Sequence, residues 1–86
     1  MSRRQKLLTR FLAKPRDFTF NELATLLRGY GYREMKEGKT SGSRAAFIEE
    51  KSKHIIRLHK PHPSKVLKRY QIDDIEREFK RRGFLP

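Results

Sequence analysis

Cysteine is missing from the 86-residue chain, and so is tryptophan. Without thiols there is no disulfide, no thiolate nucleophile and no thiolate metal ligand, a pattern that suits a reducing compartment. No apolar run approaches the ~20 residues that cross a bilayer. The basic N-terminus also lacks the continuous apolar stretch of a secretory signal, so the expected location is cytoplasmic, with no membrane partner. No phosphate-binding P-loop, dinucleotide fingerprint or Ser-His-Asp pattern is present, and no cofactor is expected. Acidic residues are scarce as well, 10 against 22 Lys and Arg, which leaves a net charge of +12.

That excess is unevenly placed. Residues 1–20 carry six cations and one acid, and residues 51–70 carry seven cations and none. Residues 21–50 balance five against five, and residues 71–86 four against four. A block of seven cations without a carboxylate repels itself unless a polyanion relieves it. Phosphate backbones are the usual relief, so a nucleic acid is the expected partner. A chain of this size makes one domain, with a stability on the order of 4–13 kcal/mol. Its site is expected to be a shallow surface rather than a deep pocket.

Hydrophobic spacing gives the elements. Leu7, Leu8, Phe11 and Leu12 share one face of a short helix that Pro15 ends at or before Lys14. Thr19-Phe20-Asn21-Glu22 is a capping box, with Phe18 and Leu23 as the hydrophobic staple. Leu23, Leu26, Leu27 and Tyr30 line the helix it starts, and Gly29 and Gly31 offer its stop. Three strands are predicted at Tyr32–Lys36, Ser43–Glu49 and His54–His59, with a polar turn over Glu37–Gly42 and a four-residue hairpin loop at Glu50–Lys53. Alternation puts Ile56 and Leu58 on one face of the third strand and Ile55, Arg57 and His59 on the other. Pro61 and Pro63 keep Lys60–Ser64 irregular. A last helix from about Tyr70 to Arg82 buries Ile72, Ile75 and Phe79, with Asp73 and Asp74 in its first turn, basic residues in its last and Gly83 as its stop. The fold class is α+β: a three-stranded antiparallel meander with helices on one face.

Two stretches carry the chemistry-bearing residues. His59-Lys60-Pro61-His62-Pro63-Ser64-Lys65 holds two histidines three apart in a stiff, basic loop. Lys60 and Lys65 nearby favour neutral imidazoles by like-charge repulsion. One histidine can take the proton of a ribose 2′-hydroxyl while cations hold the charge of the phosphorane. Phosphate contact without catalysis is the plain alternative. Two histidines alone make too few ligands for zinc. His54, which begins a strand, is read as structural, and Asp73, Asp74 and Glu76 are read as helix-start charges rather than metal ligands. In Lys39-Thr40-Ser41-Gly42-Ser43-Arg44, small residues expose backbone donors to a phosphate, and Arg44 adds a bidentate fork. An ordinary polar turn is the plain reading there.

The order of the Leu23–Gly31 helix and Tyr32, the run Gly42-Ser43-Arg44 with Phe47, the His62–Lys68 segment and the closing Ile72–Phe84 helix resembles the HicA toxin family. These are small ribonuclease toxins of bacterial and archaeal toxin–antitoxin pairs, and the similarity runs from about Asn21 to Leu85. The resemblance implies a fold like the double-stranded-RNA-binding domain, α-β-β-β-α, over residues 18–86, with residues 1–17 as a helical extension. It implies metal-independent endonuclease cleavage of mRNA and a HicB-like antitoxin covering the basic site. The family reads Gly-Ser-His where this chain reads Gly42-Ser43-Arg44, and that histidine is the catalytic one there. The family's later histidine falls on His62. Three arrangements stay open: chemistry at His62 or His59, Arg44 stabilising the transition state beside a loop histidine, or RNA binding without cleavage. In each, Lys39, Ser43, Lys60, Lys65, Lys68 and Arg69 are the expected RNA contacts. A protein of another class, binding DNA or the ribosome structurally, would use the same charge.

Overall fold

The structure is a computed structural model that describes residues 3–35, 44–61 and 64–85. Its elements are α1 (Arg3–Leu12), α2 (Phe20–Gly29), β1 (Tyr32–Met35), β2 (Arg44–Glu49), β3 (His54–His59) and α3 (Arg69–Arg81), in the order and class that the hydrophobic spacing predicts. The strands form one antiparallel sheet in the order β1-β2-β3. The predicted turn over 37–42 and the strand ends Lys36 and Ser43 lie outside the described residues.

Local chemistry sets the elements. Glu22 Oε1 accepts from the Thr19 backbone N–H at 3.0 Å while Thr19 Oγ1 accepts from the Glu22 N–H at 3.1 Å, which completes the capping box of α2. Gly31 closes that helix at φ 93, a conformation that disfavours any side chain. The start of α3 differs from expectation. Lys68 is the N-cap, so the first turn is Arg69–Gln71 and carries no acid. Asp73 and Asp74 fall in the second turn, because Gln71 supplies the cap by accepting from the Lys68 N–H at 3.0 Å. Asp73 instead pairs with Lys14 at 2.6 Å, tying the end of the α1 segment to α3.

The core lies between the helices and one sheet face. Phe47 and Ile56, register partners on β2 and β3, pack with Phe11, Leu23, Leu26, Leu27, Ile72, Ile75 and Phe79. The α1 segment belongs to this core: the Phe11 ring has no exposure and meets Phe18 at 5.4 Å and Phe79 at 5.7 Å. A feature without a sequence signal pins the stretch before α3. The Phe20 N–H donates to Lys65 O at 2.9 Å and the Leu67 N–H to Phe18 O at 2.8 Å, with Thr19 and Val66 forming an isolated antiparallel bridge.

Candidate nucleic-acid interface

Residues alternate across a pleated sheet. The face opposite the core therefore carries Arg33 and Met35 of β1, Arg44, Ala46 and Ile48 of β2, and Ile55, Arg57 and His59 of β3. None of these belongs to the core cluster. Arg33, Arg44, Arg57 and His59 are exposed, and no carboxylate stands among the described residues of that face. Arg33 turns to Glu50 of the β2–β3 loop.

The register decides what lies together. Glu49 faces His54, and counting back along both strands brings Arg44 opposite His59. Directly opposed side chains in an antiparallel pair have Cβ atoms about 4.5–5.5 Å apart. The guanidinium and the imidazole thus share one end of the open face. Between them and Met35 lies a shallow depression floored by Ala46, whose methyl is buried because its strand neighbours are the long Met35 and Arg57. An anion seated there meets a guanidinium fork and an imidazole able to donate or accept.

The end of β3 is held by a buried side chain. Gln71, 5% exposed, donates from Nε2 to His59 O at 2.8 Å while its Oε1 takes the Lys68 N–H. Both ends of the amide are satisfied, so the backbone of His59 is clamped to the start of α3. That start presents Lys68, Arg69 and the positive end of the helix dipole with no acid in the first turn. Exposed Lys65 lies on the neighbouring paired segment, and exposed Arg16 lines a depression with Leu67 and Arg69.

The remaining expected residues divide. Lys60 leaves the Arg44–His59 face: its ammonium is 5.9 Å from the Phe20 ring centre, on the core side, and 3.8 Å from Glu34. Arg69 is partly engaged with Asp73 at 3.5 Å. His62, Lys39 and Ser43 lie outside the described residues. His54 is structural, its Nδ1 2.7 Å from the Tyr32 hydroxyl and its Nε2 3.7 Å from Glu78. Burial raises the Tyr32 phenol above its ordinary value. Among the described residues no three His, Asp or Glu side chains converge as metal ligands would. Sequence reasoning did not single out Arg57 or Tyr70. The alternation on β3 already puts Arg57 beside His59, whereas the position of Tyr70 depends on the Gln71 clamp.

No protein family, curated protein or solved structure matches the chain. No helix among the described residues is long and apolar enough to cross a membrane.

Proposed function

We propose that this protein is an RNA endonuclease of the HicA toxin type, with a double-stranded-RNA-binding-like arrangement of its elements, acting on mRNA in the cytoplasm and restrained by a HicB-like antitoxin. The observation that carries the reading is the cross-strand pairing of Arg44 with His59 on an exposed sheet face that has no carboxylate among its described residues. Arg44 stands where the family has its catalytic histidine, and an imidazole stands directly across from it.

In the proposed reaction the ribose 2′-oxygen attacks the adjacent phosphorus and the bond to the 5′-oxygen breaks. His62 takes the 2′-hydroxyl proton and His59 gives a proton to the departing 5′-oxygen, while Arg44 holds the phosphorane oxygens. The products are a 2′,3′-cyclic phosphate and a 5′-hydroxyl. The charge is supplied by side chains, so the reaction needs no metal.

Single-stranded RNA incubated with the protein in EDTA should yield those two ends. Activity lost in chelator and restored by magnesium refutes the metal-free mechanism. RNA bound but never cut leaves the alternative, a non-catalytic RNA-binding module.

A further inference from the structure

Among the described residues Tyr70 is the most exposed of the large hydrophobic side chains, 55% accessible, at the first turn of α3. An exposed tyrosine on a helix surface is ordinary by itself, but this one has a definite setting. It lines a second shallow depression together with Arg57, His59, Gln71 and Asp74. That depression shares Arg57, Leu58 and His59 with the one beside Arg44. Arg57 and His59 therefore form a common wall, with a guanidinium on one side and an aromatic ring on the other. The wall is stiff, since Gln71 binds the His59 carbonyl from the residue after Tyr70.

We infer that Tyr70 is a base-stacking residue, which takes the nucleobase next to the phosphate that Arg44 holds across from His59. This deepens the RNA reading above and rests on it. Single strands expose base faces that duplexes hide, and stacking on an aromatic ring tolerates any base. The arrangement therefore selects single-stranded RNA without selecting its sequence. Placing a base on Tyr70 also draws the chain over the β3 edge, so that the backbone crosses the Arg57–His59 wall and is held in register with the histidine. Tyr70 is a positioning residue in this scheme and takes no part in proton transfer.

The test compares Tyr70→Ala and Tyr70→Phe with the unaltered protein in titrations against a short single-stranded RNA and against inorganic polyphosphate of equal charge, which has no bases. Tyr70→Ala should weaken RNA binding by roughly 5- to 150-fold, the range for one base stacked on an aromatic ring, and leave polyphosphate binding unchanged. Tyr70→Phe should restore RNA binding, because the ring and not the hydroxyl makes the stack. Tyr70→Ala binding RNA like the unaltered protein overturns the stacking role alone. Equal loss toward RNA and polyphosphate also overturns it, since the effect would then be one of charge or folding. An unaltered protein that binds RNA no better than polyphosphate overturns this inference together with the RNA reading beneath it.

Discussion

Arg44 and His59 face each other across one rung of a ladder yet are assigned different work, and their variants should separate. A phosphate-holding arginine acts on the bound ground state as well as the transition state, so Arg44→Ala should weaken RNA binding and slow cleavage together. Arg44→Lys should recover only part of both, because an ammonium cannot reproduce the bidentate fork. A proton donor acts only as the bond breaks. His59→Ala should cost about 10²–10⁴-fold in single-turnover rate and leave affinity within a few-fold, and His62→Ala should do the same. The pH–rate profile should be bell-shaped in the unaltered protein and lose one limb in each histidine variant. Circular dichroism checks folding: both described residues are exposed, so neither change removes core contacts. Normal cleavage by the His59/His62 double variant would reduce these histidines to phosphate contacts. Much of this site was legible in the residues. The four-residue loop at 50–53 dictates that Glu49 faces His54, and the same count sets Arg44 against His59. The departure of Lys60 was not legible, because its direction depends on Phe20 and Glu34, which come from α2 and β1.

Among the elements, α1 has the most surprising weight. Residues 1–17 read as a helical extension, and within them Phe11 is fully enclosed between Phe18 and Phe79. Phe-to-Ala changes at such sites cost roughly 3–5 kcal/mol, a large share of the stability of a chain this size, about 4–13 kcal/mol. Phe11→Ala should therefore lower the thermal midpoint sharply, and deleting residues 1–17 should leave no cooperative thermal transition. A truncated protein that melts sharply near the temperature of the full chain would overturn this. Charge ties the same element down. Arg10 pairs with Glu22 at 3.0 Å, and the Arg10 hydrogen bond, aided by the Thr19 cap, holds the Glu22 carboxyl below its ordinary value of 4.5. Asp73 is likewise held below 3.8, chiefly by Lys14. Both acids are depressed in the folded state, so their contribution is complete above about pH 5 and is lost as pH falls through and below the ordinary carboxylate values. Denaturant midpoints should fall steadily from pH 5 to pH 3. Glu22→Gln keeps an acceptor for the cap but removes the charge. It should cost about 1 kcal/mol at pH 7 and make the acid decline shallower. Sequence spacing yields the cap but not its partner, since Arg10 and Glu22 meet only once α1 has folded against α2.

At the scale of the whole molecule, the charge separates folding from binding. The acids of residues 71–86 are largely spent inside the fold: Asp73 and Glu76 on Lys14, Asp74 on Arg77, and Glu78 beside His54 and Arg81. Glu22, Glu49 and Glu50 are taken by Arg10, Arg82 and Arg33. The net +12 therefore cannot be discharged internally, and Arg44 and His59 form no ion pair with any carboxylate among the described residues. A polyanion that covers this face must release condensed counterions, each neutralised phosphate contributing a slope of about −0.7 to −0.9 in log K against log salt. Contact by Arg44, Lys65, Lys68, Arg69 and one further cation gives a slope near −4. Removing Arg44 should make it shallower by about one unit, whereas Tyr70→Ala should lower affinity without changing it. On the proposed reading, an antitoxin that competes for the face should present carboxylates, since complementary charge accelerates encounter. Its association rate should then fall with salt while its dissociation rate changes little. RNA affinity that stays flat from ~50 to ~300 mM salt would mean that the cationic face is not where RNA binds, whatever the histidines do.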